Sequence, residues 1–336
     1  MKKLNRIYNF LLRENLHKLL LILLVLIIIS TAGMLLFEPK VTLPNALWWS
    51  IVTLTTVGYG DIAPTTMGGR VIGIIIMFFG IGILGMFTAT IASIFVERKL
   101  KEDRGMGAFD LENHVIICEW NFRAKEILKE LRADPREEST PIVLIAETEH
   151  KPVDDENLFF IQGAVNEENL NRANVAKAKT VVILGDDRLE DNARDAKVVL
   201  STLTVESMNR DAYTIVELVD GKNVRHCQRA HADEIIVSSE FSSRLISRAT
   251  LDHGITRVLS ELLSSQYGND LYKIPVKPEM VGEEFLEVFS EMKRSNQSTV
   301  VAVQKGAEGE VISNPPMDYR LEKDDFLILI APENPK

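Results

Sequence analysis

Cysteine is nearly absent, with two residues in a chain of 336. That excludes a disulfide scaffold and the common multi-cysteine zinc sites. Aromatic residues reach only 7%, so the apolar 46% is mostly aliphatic. Lys and Arg number 38 against 48 Asp and Glu, and the net charge of −10 argues against broad nucleic-acid binding. Nothing in the composition suggests collagen, low complexity or wholesale disorder. The length suits two or three domains.

The charge is unevenly placed. Residues 1–105 hold eleven Lys/Arg and six Asp/Glu, a surplus of five positive charges. With the whole chain at −10, the remainder carries −15. Within this basic head, Leu19 to Phe37 and Val71 to Val96 contain no charged residue. About 20 apolar residues cross a hydrocarbon core, so both runs are expected to span a membrane. Buried core helices, or a signal peptide in the first run, are the competing readings. Charged flanks and the second span weigh against them. Lys2, Lys3, Arg6, Arg13 and Lys18 precede the first span, and Arg98, Lys99, Lys101 and Arg104 follow the second. Only Lys40 and Arg70 lie between, so both termini are expected to be cytoplasmic. Neither span carries a regular arginine series of the voltage-sensing kind.

Between the spans, Pro44 offers a helix start, and Trp48 and Trp49 precede Thr53-Leu54-Thr55-Thr56-Val57-Gly58-Tyr59-Gly60-Asp61. This stretch resembles the potassium-channel selectivity filter. A dehydrated potassium ion needs rings of backbone carbonyls in place of its water. Pointing successive carbonyls at one axis needs backbone angles that glycine tolerates. The resemblance implies that Thr56, Val57, Gly58, Tyr59 and Gly60 form the filter, with the Thr56 hydroxyl adding the innermost oxygens. It implies side chains of Val57 and Tyr59 turned away from the axis and Asp61 at the outer mouth. Trp48 and Trp49 suit either the membrane interface or packing behind the filter. One loop per chain requires symmetric copies around an axis, and the family implies four. Gly80, nineteen residues beyond Asp61, stands where related channels place a gating hinge. Close helix packing is the alternative there, and Gly73, Gly82 and Gly85 compete for the role.

After a polar stretch with two glycines (97–112), strand and helix alternate. Strands are expected at 114–118, 142–146, 158–161, 180–184, 213–219 and 234–237. Helices are expected at 122–131, 167–174, 190–209 and 223–230. This alternation favours a doubly wound parallel sheet. A helical stretch at 241–265 leads to short strands at 271–275, 299–304, 310–312 and 326–330, with a helix at 283–293. The segments GAVNEENLNRANV (163–175), HADEIIVSSEFSSRLISRA (231–249) and NPPMDYRLEKDDFLILIA (314–331) resemble RCK domains, the regulators of potassium conductance. Ala164 replaces the family's usual Asp. The expected architecture is an all-α membrane pore domain at 1–105, with two spanning helices, a pore helix and the filter at 56–60. A linker (106–112), an α/β Rossmann-like lobe (113–240), a helical connector (241–268) and a small α+β lobe (269–336) follow.

The resemblance implies a ligand-gated potassium channel, with K⁺ as permeant ion, in a prokaryotic plasma membrane. Ca²⁺ or another divalent ion is the leading ligand. In related calcium-gated channels an acid ends the fourth strand and two lie on the fifth. Here Leu184 and Val219 replace two of them, leaving Glu217 and a shifted set of Asp186, Asp187 and Asp220. Glu217 and Asp186 head the metal candidates, against the plainer reading of solvated turn acids. Nucleotides such as NAD or ATP/ADP are the alternative ligand. The turn after the first strand is Cys118-Glu119-Trp120-Asn121-Phe122-Arg123, without the phosphate-binding glycines. Glu119, Asn121 and Glu147 are the nucleotide candidates. A membrane-anchored nucleotide-binding enzyme is a remoter alternative, and no nucleophile with an identifiable base stands out. Related gating rings hold eight RCK domains where four chains supply four. Met106 is therefore a candidate internal start for a soluble tail, against an incidental linker methionine.

Overall fold

The computed structural model describes residues 16–307 and 309–335, apart from the Arg98 side chain. Lys2, Lys3, Arg6 and Arg13, used above for orientation, lie outside the described residues. The chain divides into two units, 1–101 and 102–336.

In the first unit, charge-free sequence becomes helix. Helix α1 is Leu16–Phe37 and α3 is Met67–Asp103, whose last two residues belong to the second unit. At 1.5 Å per residue they measure about 33 and 55 Å, each longer than a hydrocarbon core of about 30 Å. Between them, α2 (Leu43–Leu54) starts with Pro44 in its first turn, where a missing N–H costs nothing. Small residues set the approach of α1 to α3. A Cβ on Gly33 would come within 2.9 Å of Ile72. Thr31 donates to Ser50 at 3.2 Å, joining α1 to α2.

The second unit opens with six parallel strands: β1 (His114–Cys118), β2 (Ile142–Ala146), β3 (Leu158–Gln162), β4 (Ala178–Ile183), β5 (Tyr213–Leu218) and β6 (Glu234–Val237). Their order is β3-β2-β1-β4-β5-β6. All residues of β1 and β2 are buried, as strands covered on both faces must be. Helices α4 (Phe122–Ala133), α5 (Glu167–Arg172), α6 (Asp191–Met208) and α7 (Val224–Arg229) connect them. The expected helix at 167–174 ends at Arg172, and a 3₁₀ turn at Val175–Lys177 follows left-handed Asn174.

The expected single helical stretch at 241–265 is two helices, α8 (Ser238–Leu251) and α9 (Ile255–Leu262). Gly254, at φ +95°, supplies the break. The final lobe is an antiparallel sheet, β7-β10-β8-β9, built from Asp270–Pro275, Asp325–Ala331, Thr299–Lys305 and Val311–Ser313. Helix α10 (Phe285–Asn296) packs on it through Phe285, Val288 and Met292.

Candidate functional site

The pore loop begins where α2 ends. The Thr55 N–H and hydroxyl both bond to the Ile51 carbonyl, and the Val57 and Gly58 N–H groups reach the Val52 carbonyl at 3.0 and 3.4 Å. The next residues alternate in hand. Thr56, Gly58 and Gly60 have φ of +63°, +61° and +74°, while Val57 and Tyr59 keep ordinary negative values. Such alternation turns successive carbonyls to the same side, unlike an extended strand. A Cβ added to Gly58 or Gly60 would meet open space, so their backbone angle alone requires glycine. Thr56 adopts the same hand with a β-branched side chain, a strained state that the sequence did not reveal.

Behind the loop, Tyr59 stacks on Trp48 with centroids 5.9 Å apart and planes within 5°. Trp48 donates its indole N–H to Asp61. Trp49 is buried against Met34 and Ala46. Within this unit Trp48 therefore packs against the loop, and Trp49 against α1 and α2. Glu38 fixes the far end of the loop, accepting the backbone N–H groups and hydroxyls of Thr65 and Thr66 at 2.7–2.9 Å.

The second cluster lies at the carboxyl ends of the parallel strands, beside the β1/β4 switch point where ligands bind in such sheets. Glu119 follows β1 at φ +75°, Glu147 follows β2, and Asp186 lies beyond β4. One carboxylate oxygen from each falls within 4.8 Å of the others. Two cations sit among them. Lys197 of α6 pairs with Glu119 and, at 2.9 Å, with Asp186. Arg188 forks onto both Asp186 oxygens at 2.8 Å and reaches Glu147 at 2.6 Å. Arg188's hydrogen bonds hold the Asp186 carboxyl far below the usual range. Burial pushes the Glu119 carboxyl up, against the pull of Lys197. Burial also opposes the charge on Lys197, but its bonds to Glu119 and Asp186 prevail and raise its pKa.

A neighbouring set centres on Arg123. Its guanidinium bonds to Glu217 at 2.8 Å and Asp187 at 2.5 Å, and Arg194 shares Asp187 at 2.8 Å. Asn121 caps α4 through the Ala124 N–H and donates to the Gly185 carbonyl at 2.9 Å.

Residues 21–97 match an ion channel family model, and residues 110–216 match the calcium-activated potassium channel slowpoke-like RCK domain. The calcium-gated potassium channel TvoK of Thermoplasma volcanium is 33% identical over 85% of this chain and 81% of its own length. The YugO protein of Bacillus subtilis is 33% identical over 97% of this chain and 100% of its own. This chain belongs to the RCK-regulated potassium channels.

This membrane channel, from a potassium channel family, is not an enzyme. A similar fold is found in the human SLO3 gating ring, with TM-score 0.52 and 18% identity over 66% of this chain. The chain spans 44% of the length of that protein, so the likeness concerns fold alone.

In this RCK channel, the structure regroups the sequence candidates. Glu119 and Glu147, read as nucleotide groups, meet Asp186, read as a metal group. Glu217 and Asp187 meet instead around Arg123. Asp220 does neither, since its carboxylate accepts the Lys222 N–H in a turn. Asn121 is spent as a helix cap. Sequence reasoning missed Arg123, Arg188, Arg194 and Lys197, because no short-range spacing marks cations that converge from α4, a loop and α6. Gly80 lies in an unbroken helix, and a Cβ there would meet Leu54 at 3.2 Å. That contact supports the packing alternative for Gly80.

Proposed function

We propose that four copies of this chain form one potassium-selective pore, opened by a divalent cation such as Ca²⁺ acting on the cytoplasmic RCK unit. Thr56 to Gly60 form the filter and Asp61 the outer mouth, while Gly80 serves close packing on Leu54. Residues 1–105 serve as the pore module, 106–112 as linker, 113–240 and 269–336 as the two RCK lobes, and 241–268 as their connector. Both termini face the cytoplasm.

The observation that carries the ligand reading is the convergence of Glu119, Glu147 and Asp186 from three strand ends. Hard divalent cations prefer such carboxylate oxygens. The name of the TvoK relative supports the same choice. These three residues, with Glu217 and Asp187 adjacent, would hold the ion after exchange with the Lys197 ammonium. The ion would supply a charge of two in place of one. Binding biases the gate only if the site differs between closed and open arrangements. A nucleotide fits this turn less well. Glu119 stands where phosphate needs bare backbone N–H groups, and its carboxylate faces the crevice.

Met106 is exposed between Gly105 and Gly107, consistent with an internal start that furnishes extra soluble tails. A shorter polypeptide from the full gene, lost in Met106→Leu, tests it; a single product contradicts it.

The test of the ligand is K⁺ current through the full chain in a planar bilayer with Ca²⁺ titrated on the RCK side. The wild type is expected to open with rising Ca²⁺. A double variant, Glu119→Gln with Glu147→Gln, is expected to need more. Opening by NAD, ATP or ADP without Ca²⁺ would favour the nucleotide reading instead.

A further inference from the structure

The ten residues between the end of α3 and β1 read as a polar tether, yet they are laid down along the Rossmann-like lobe. The Asp103 carbonyl accepts the Lys151 N–H at 2.8 Å, and its carboxylate meets His150 at 3.0 Å. The Gly105 carbonyl accepts the Gln162 N–H at 3.1 Å. Phe109 donates its N–H to the Arg172 carbonyl at 2.8 Å and packs its ring 5.0 Å from Phe159. Further on, Asn174 donates to the Leu111 carbonyl and Asn113 to the Lys177 carbonyl.

Arg172 is the centre of this contact. Its Nη2 donates to the carbonyls of both Gly105 and Gly107, and its Nε donates to Gly107 at 3.1 Å. Nη1 donates to the Asn169 side chain at 2.8 Å, which holds the guanidinium in plane. Among the described residues no carboxylate pairs with it. A full charge and a planar fork are thus devoted to neutral backbone oxygens of the linker. Gly105 has φ +63°, and a Cβ there would lie 2.3 Å from the Gln162 nitrogen. Glycine is therefore required for the close approach that Arg172 grips.

We propose that Arg172 is the positioning residue that makes the link between RCK unit and pore-lining helix stiff enough to transmit gating. The proposal rests on the reading of the RCK unit as the regulator of the pore. A free ten-residue tether has an end-to-end spread of about 17 Å, enough slack to absorb the motion of a lobe. The clamp removes that slack. It also connects to the ligand crevice, because Arg172 precedes β4 and Asp186 follows it. The two ends of β4 thus lie toward the linker and the acids. Lysine cannot replace the fork, since an ammonium is a point donor that does not span two carbonyls in fixed geometry.

The experiment compares wild type, Arg172→Lys and Arg172→Gln in the full channel. Two readouts are taken: hydrogen exchange of amides 105–113 and Gln162, and open probability in planar bilayers with and without Ca²⁺. Both variants are expected to lose protection at Gln162 and Phe109 while β1, β2 and β4 keep theirs. They are expected to keep the wild-type reversal potential. Their closed–open equilibrium should shift about tenfold, within the range of coupling between linked sites. Unchanged protection would overturn the clamp. Lost protection with wild-type open probability, and a wild-type Ca²⁺ response where there is one, would overturn its role in transmission. If wild type ignores Ca²⁺, the ligand reading fails by itself, and the shift in basal open probability still decides the role of Arg172.

Discussion

Trp48 and Asp61 are joined across the loop that follows α2 by a 2.8 Å hydrogen bond from indole to carboxylate. The segment between them includes every left-handed position of the loop. The bond closes a ring around the strained segment, with Tyr59 stacked inside it. Trp48→Phe keeps a ring for stacking and removes the donor. It is expected to cost about 0.5–1.5 kcal/mol, since both groups are exposed. A double-mutant cycle with Asp61→Ala, read by thermal unfolding of the assembled channel, measures the coupling; additive losses would show that the two residues act separately.

Glu38 serves the other end of the loop. Its carboxylate takes four donors from Thr65 and Thr66. Glu38→Ala leaves two backbone donors without their partner and is expected to destabilise the loop. Glu38→Gln, which keeps one carbonyl oxygen, should lose less. Hydrogen exchange at Thr65 and Thr66 checks the cause, since both amides should lose protection.

Lys197→Met would leave Glu119 and Asp186 facing each other with Arg188 as the remaining near cation. The lysine side chain is about a quarter exposed, so the expected loss is near the lower end of the roughly 3–5 kcal/mol for breaking a buried pair. Millimolar Ca²⁺ should raise the melting temperature of this variant more than that of wild type. Equal shifts would mean that the ammonium and the ion do not share a place.

Fully buried His114 donates through Nε2 to the Ala173 carbonyl, while Nδ1 has no partner among the described residues. Burial holds its pKa below the ordinary histidine value. Its neutral form therefore contributes full stability above the unfolded pKa of about 6.5, and that contribution is lost as pH falls through the folded value. Thermal unfolding at pH 7.5 and 5.5 should show a smaller drop for His114→Gln than for wild type. The same drop in both would place the pH sensitivity elsewhere.

Gly80→Ala is expected to shift open probability, and Leu54 decides why. The added methyl would meet Leu54 at 3.2 Å. A bending role implies that the shift persists in Gly80→Ala with Leu54→Val. Full recovery in single-channel records would assign the effect to contact.

The hand of the loop after α2 was legible because its glycines stand in the sequence as nearby residues. Gly58 and Gly60 mark left-handed positions, and only Thr56, which takes the same hand with a side chain, escaped notice. The strands were legible because a sheet covered on both faces leaves apolar runs such as Val115 to Cys118. The ion-pair cluster was not. Lys197 meets Glu119, Arg188 meets Glu147 and Arg123 meets Glu217 across long stretches of chain, and only the closed sheet brings them together. The attachment of the linker was hidden for a related reason. Its glycines suggest slack, but Gly105 is required by close approach to β3, a contact invisible without Gln162 and Arg172 in place.

The most direct test of the central claim is the reversal potential of the purified full chain in a planar bilayer. K⁺ is placed on one side and Na⁺ on the other, with Ca²⁺ raised on the RCK side. The account expects a reversal potential set by K⁺ and an open probability that climbs with Ca²⁺. A current that passes Na⁺ as readily as K⁺ would contradict it.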